Sequence, residues 1–369
     1  MFKDATLRQT LHMSIGASRI RFQISNTFGG SDLPIAGASV ALPQGGAAGV
    51  GAIDTTTLKG ITFNGAEGTT VAKGKIAYSD PVDFDVKPQS MISLTLYFSA
   101  GQSGSSITGH PGSRTTSFMQ SGNHLNASSV TGSSTEHWYF VSAVEAFAPT
   151  SNNALIILGD SITDGRGSDN NKNNRWPDLV LARMQKNADT ANIGVNNQAA
   201  GGNTILSGGL GPPLLQRYQR DALQQQGVKY VMIFEGVNDI GGAGTDSGSQ
   251  TRTGDSLISA YKQIAADVHK AGISIIGATI TPFGGSGQSY SNPTREATRK
   301  RVNDWIKTSG TFDAVVDFAS MVEDKSNPSQ LAKQYDGGDH LHPTVAGYQA
   351  MADGFDLSIF TKLANYTPK

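Results

Sequence analysis

The feature that most constrains the fold is a change of hydrophobic period near residue 150. From Leu7 to about Phe147 the apolar residues alternate, as in Leu11, Met13 and Ile15, then Ile20, Phe22 and Ile24, and then Ile92, Leu94, Leu96 and Phe98. A period of two puts every second side chain on one face, the pattern of half-buried strands. The connections, at 26–30, 43–51 and 100–109, are rich in Gly, Pro and Asn, and no helical spacing of useful length interrupts them. Residues 1–148 are therefore expected to form an all-β sandwich or jelly-roll domain.

Around Ala148-Pro149-Thr150-Ser151-Asn152-Asn153 the texture changes. Short apolar runs at 154–158, 193–195, 230–234, 273–280 and 314–318 now alternate with helical spacing, as in Leu257, Tyr261, Ile264, Ala265 and Val268, or Thr298, Val302, Trp305 and Ile306. A last helix is expected over about 344–355. Continuous apolar runs suit parallel strands covered on both faces, so residues 149–369 are expected to form a three-layer α/β domain. In such sheets ligands sit at the carboxyl ends of the strands, which is where chemistry should be sought.

Four groups stand there. Ser161 follows the first run, Asn197-Gln198-Ala199-Ala200-Gly201-Gly202-Asn203 the second, and Glu235-Gly236-Val237-Asn238-Asp239 the third, while Asp336-Gly337-Gly338-Asp339-His340-Leu341-His342-Pro343 precedes the last helix. A serine hydroxyl becomes a nucleophile when a base lies within hydrogen-bond reach and a third group orients that base. Asp339 and His342, three residues apart at a loop-to-helix junction, supply such a pair, with His340 as the competing histidine. An attacked carbonyl develops negative charge that fixed donors must meet. The Ser161 N–H, the Gly202 N–H and the Asn238 side-chain amide would make three, with Gly201 the alternative to Gly202. Taken singly, Ser161 reads as a helix N-cap, Gly202 as a turn residue, Asn238-Asp239 as an Asx turn and His342 as a packed histidine. In order, each at a strand or helix junction, they read as a hydrolase site.

These blocks, Gly159-Asp160-Ser161-Ile162, Gly202 after Asn197, Gly236-Val237-Asn238-Asp239 and Asp339-His340-Leu341-His342, resemble those of the GDSL/SGNH hydrolases over residues 154 to about 360, with Ile162 in place of the motif's Leu. The resemblance implies a flavodoxin-like α/β/α domain with a five-stranded parallel sheet. It also implies ester hydrolysis by Ser161, His342 and Asp339, with Ser161, Gly202 and Asn238 as the oxyanion hole. The stretch Ser18-Arg19-Ile20-Arg21-Phe22-Gln23-Ile24-Ser25-Asn26-Thr27-Phe28-Gly29 ahead of such a domain is similar to the aryl- and acyl-esterase branch found near xylan-degrading enzymes. That similarity implies a secreted enzyme releasing short acyl groups, such as acetate, from carbohydrate or aryl esters.

Composition narrows the partners. A formal net charge of -1 with only 16% charged residues argues against nucleic acid and for a small-molecule or polysaccharide ester. No apolar run of about 18 residues spans a membrane. There is no cysteine, and His12, His110, His124, His137 and His269 are scattered, so no metal and no cofactor is expected. A monomer is expected. Sequons at Asn126 and Asn365 are compatible with secretion, although Met1-Phe2-Lys3-Asp4 does not open a signal peptide. The polar loop 167–176 is expected to border the pocket, with Trp176 stacking on a sugar or aryl ring. The glycine runs at 241–244 and 284–287 are expected at the rim of the site. Two alternatives stay open: a lipase or lysophospholipase with a long apolar acyl groove, and a catalytically silent glycan-binding module.

Overall fold

A computed structural model describes residues 1–364, so the sequon at Asn365 lies outside the described residues. The chain divides into two compact units: residues 1–150 with 170–173, and 151–169 with the chain from 174 onward.

The first unit is a β-sandwich. Its larger sheet has six antiparallel strands in the order Ser133–Thr135, Ser117–Ser121, Ala5–His12, Met91–Phe98, Gly37–Pro43, Ile53–Ile61. In the second sheet, Ala17–Ser25 pairs with Val141–Ala146 on one side, and with Ile76–Tyr78 and Val82–Val86 on the other. Register explains the alternation: Leu7 faces Leu96 and Leu11 faces Ile92. With Ile20, Phe22, Ile24 and Phe140, these residues form one buried core. The opposite face of the same strands is polar, and its centre is Arg8, paired in register with Thr95. The first strand ends at His12. The expected alternation continues to Met13, which is buried in the same core, and a bend at Ser14-Ile15 stops it before Ile15.

The second unit is a five-stranded parallel sheet with helices. Its strands are β1 (Asn153–Gly159), β2 (Ile193–Asn197), β3 (Val228–Phe234), β4 (Ser274–Ala278) and β5 (Ala314–Val316), in the order β2-β1-β3-β4-β5. Leu155, Ile156, Ile157 and Leu158 are all buried, which demands cover on both faces of β1. That cover comes from α1 (Ser161–Asp164), α2 (Trp176–Met184), α3 (Leu214–Tyr218), α4 (Val237–Gly242), α5 (Ser247–Lys270), α6 (Pro293–Thr308), α7 (Phe318–Val322), α8 (Val345–Gly354) and α9 (Ser358–Ala364). The chain leaves β1 for one edge and then returns to β1's other side. The carboxyl end of β1 is thus the switch point of the sheet, where an open α/β fold has its crevice.

Candidate active site

Local geometry puts Ser161 at that switch point. Gly159 closes β1 where a Cβ would meet Thr163 Oγ1 at 2.7 Å and the Phe234 carbonyl at 2.9 Å, so the chain turns tightly against the sheet. Asp160 caps α1 by accepting the Ile162 N–H at 3.0 Å. The helix lasts one turn and stops at Gly165, with φ +102 and its N–H donating to the Ser161 carbonyl. Ser161 is thereby held, largely buried, as the first residue of α1.

The structure brings His342 to this serine. Ser161 Oγ lies 2.7 Å from His342 Nε2. His342 Nδ1 lies 2.6 Å from Asp339 Oδ2. A carboxylate only accepts, so Nδ1 carries the ring proton and Nε2 is left to accept from the serine hydroxyl. Asp339 Oδ1 also accepts the His342 N–H at 2.8 Å and the Leu341 N–H at 3.1 Å. Burial raises the Asp339 carboxyl, but these hydrogen bonds and the imidazole together hold it below the usual carboxylate range. His340, two residues away, does not join this chain. Its Nδ1 meets Asp336 Oδ2 at 2.5 Å, and its backbone is left-handed, with φ +58.

The loop after β2 separates the two candidate glycines. Gly201 donates its N–H to Asp164 Oδ2 at 3.0 Å. The Gly202 N–H has no protein acceptor among the described residues, and its φ of +72 suits glycine. After β3, Gly236 bends the chain with φ +128 into α4. Asn238 Nδ2 then donates to the Asn203 carbonyl at 2.8 Å, while Tyr290 Oη donates to Asn238 Oδ1 at 3.1 Å. With both amide ends held, the direction of the remaining Asn238 N–H is set. Asp239 fastens the β2 loop to α4 by accepting the Ile205 and Leu206 N–H groups, each at 2.9 Å.

Beneath these loops lies a set of buried acids. Burial pushes the Glu235 carboxyl up to about 8, that of Asp160 to about 7 and that of Asp239 to about 6. The Arg217 cation opposes the rise at Glu235 and Asp160, and neighbouring carboxylates reinforce it. No group of His, Cys, Asp or Glu among the described residues is arranged to hold a metal ion.

Trp176 is a correction. Its indole is fully buried, 4.8 Å from the Phe318 ring and stacked at 16° on Phe355, with Nε1 donating to Thr163 Oγ1. A ring used as core for α2 cannot stack on a substrate. The middle of the loop 167–176 also belongs elsewhere: residues 170–173 group with the first unit, where Asn171 bonds both Thr116 N–H and Thr116 Oγ1. Of the two glycine runs, Gly285 lies where a Cβ would strike the His340 ring and Gly241 where one would strike the Tyr290 ring. Tyr290 and Arg217 escaped the sequence reading, and Glu235 was noted only as the first residue of the group after the third run.

Among solved structures, an acetylxylan esterase from Geobacillus stearothermophilus is similar at 22% identity, covering 58% of this chain and 94% of that one, with a TM-score of 0.40. A GDSL-like lipase from Bacteroides thetaiotaomicron is similar at 16% identity, covering 59% and 93%, with a TM-score of 0.43. A lipase/acylhydrolase from Enterococcus faecalis is similar at 21% identity, covering 59% and 98%, with a TM-score of 0.41. No curated protein sequence matches the chain. The profile of the GDSL-like lipase/acylhydrolase family matches residues 157–350, a span that runs from β1 through α8 and holds Ser161, Gly202, Asn238, Asp339 and His342. The protein is an ester-hydrolysing enzyme and belongs to the GDSL-like lipase/acylhydrolase family.

Proposed function

We propose that the protein hydrolyses short-chain carboxylic esters through a covalent acyl-enzyme on Ser161. The observation that carries the reading is the unbroken relay from Ser161 Oγ through the His342 ring to Asp339, at 2.7 and 2.6 Å. Ser161 Oγ attacks the ester carbonyl carbon as His342 Nε2 takes the hydroxyl proton. Asp339 holds the ring's orientation and balances the imidazolium charge. The oxyanion is met by the Ser161 N–H, the Gly202 N–H and the free hydrogen of the Asn238 amide. Collapse expels the alcohol with the proton from His342. A water that gives its proton to His342 then attacks the acyl carbon, releasing the acid and restoring the serine.

A short acyl group is favoured by the surface of the second unit. Among its described residues, Leu210 is the one large apolar side chain that is strongly exposed, and it lies against Gly202. One leucine beside the oxyanion glycine suits acetyl or a slightly longer chain, not the broad apolar groove a lipase needs. The likeness of residues 18–29 to esterases found near xylan-degrading enzymes favours a carbohydrate or aryl ester as the alcohol side. The first unit is read as an accessory domain, since every residue given a role here belongs to the second.

The test is hydrolysis of p-nitrophenyl esters from acetate to laurate, with Ser161→Ala beside the parent. The maximum is expected at the short end, with kcat in the variant down by about 10³-fold or more. A maximum at long chains would contradict the short-acyl reading. Full turnover in the variant would contradict the serine mechanism.

A further inference from the structure

Arg217 has no part in the chemistry above, yet it is buried at the strand ends that carry it. From α3 its guanidinium reaches three of them. Nη2 donates to the carbonyl of Gly159, the last residue of β1, at 3.2 Å. Nη1 donates to the carbonyl of Gln198, just past β2, at 2.6 Å. Nη2 also lies 3.5 Å from Glu235 Oε2, just past β3. Nε donates to Asn203 Oδ1 at 2.9 Å, and Nη1 to Asp221 Oδ2 at 3.1 Å. A guanidinium has five N–H donors, and five acceptors surround this one.

The contacts lead directly to the donor groups. Gly159 stands two residues before Ser161, Asn203 follows Gly202, and Glu235 stands three before Asn238. Asn203 passes the constraint on: its carbonyl accepts the Asn238 amide at 2.8 Å, and its own Nδ2 donates to the Leu210 and Pro212 carbonyls, both at 2.8 Å. The shortest contact, 2.6 Å, is to a loop carbonyl, while the approach to Glu235 is 3.5 Å, so the loops rather than that acid set the position of the cation.

We propose that Arg217 is a positioning residue that ties the ends of β1, β2 and β3 so that the Ser161, Gly202 and Asn238 donors converge on one oxyanion. The proposal rests on the acyl-enzyme reading above. A planar fork meets all three loops at once, which a lysine ammonium on a flexible stem does not. Donors that drift apart weaken transition-state binding and leave ground-state affinity little changed.

The experiment measures kcat and KM on p-nitrophenyl acetate, per folded molecule, for Arg217→Lys, Asn203→Ala, Asp221→Asn and Ser161→Ala. Arg217→Lys is expected to lower kcat by about 30- to 100-fold with KM within about threefold, since a misplaced donor costs on that order. Asn203→Ala cuts the Arg217–Asn203 link with the arginine in place and is expected to show the same selective fall, which keeps the test open if the lysine variant does not fold. Asp221→Asn removes the ion pairs of that side chain with Arg217 and Arg220, leaves the Arg217 contacts to the three strand-end loops in place, and is expected to keep the parent kcat. Parent-level kcat in Arg217→Lys or Asn203→Ala, with only the melting temperature lowered, would overturn the proposal, as would a fall in Asp221→Asn equal to that in Arg217→Lys. Turnover that survives Ser161→Ala would instead overturn the serine reading, and the positioning role with it.

Discussion

Arg8 in the first unit and Arg217 in the second are both buried, and the two keep opposite company. Arg8, in the first unit, has no acid beside it: it donates to Thr95 Oγ1 at 2.9 Å and to the carbonyls of Gly51, Ala127 and His124 at 2.9, 3.0 and 3.4 Å. Burial lowers its pKa to about 10. Its three carbonyl partners come from loops outside the strands of the six-stranded sheet, so it ties those loops to one face of the sheet. Arg217 sits among Asp221, Glu235 and Asp160, and its carbonyl partners lie at the ends of adjacent parallel strands. The same side chain ties loops to a sheet in one unit and aligns a site in the other. The acceptors it meets, not its burial, separate the two roles.

The largest effect should come from the histidine that faces Ser161. His342→Ala is expected to lower kcat by about 10³- to 10⁴-fold, worth about 4–5.5 kcal/mol of barrier, without a matching loss of stability. His340→Ala should cost less than about tenfold, because that ring pairs with Asp336 and not with Ser161. Steady-state kinetics on p-nitrophenyl acetate read both, and an equal loss in the two would move the base.

Trp176→Ala should act on the other quantity, lowering unfolding free energy by about 3–5 kcal/mol in denaturant titration, because a fully buried indole leaves a cavity. A selective rise in KM for aryl esters at unchanged stability would return Trp176 to the substrate.

Arg8→Met should destabilise by about 2–3 kcal/mol, since three carbonyls lose their donor, while kcat per folded molecule stays at the parent value. A fall in kcat there would erase the contrast between the two arginines.

The smallest effect concerns pH. Glu235, Asp160 and Asp239 all titrate above their unfolded values, near 8, 7 and 6. The protonated native form binds more protons than the unfolded chain, so this stabilisation is complete below about pH 4 and is lost as pH rises toward 8. Glu235→Gln should therefore gain on the parent as pH rises from 5 to 9, in thermal unfolding at each pH. A constant difference across that range would mean that Glu235 is ionised throughout.

Much of this was legible in the sequence, for stated physical reasons. The apolar run at 154–158 lies within β1, because a strand buried on both faces has little choice of residue. Ser161, Asn238 and the Asp339-to-His342 spacing were readable because each follows a strand or precedes a helix, and the structure brings them to one end of the sheet. The one-turn helix α7 was not, since a cap and a tight turn define it and no periodicity does. Trp176 misled because an aromatic residue in a polar loop reads the same whether its ring turns out or in. The choice of Gly202 over Gly201 needed Asp164, which is 37 residues from Gly201 in the chain. Tyr290 and Arg217 act through contacts between distant loops, which leave no local signal.

The most direct test of the central claim is covalent. Incubation with a fluorophosphonate ester, followed by intact mass and peptide mapping, should show one adduct per chain, on the peptide that contains Ser161, with labelling slowed by about 10³-fold in His342→Ala. An unlabelled, folded enzyme that still turns over p-nitrophenyl acetate, or a stoichiometric adduct on another residue, would contradict the assignment of Ser161 as the nucleophile.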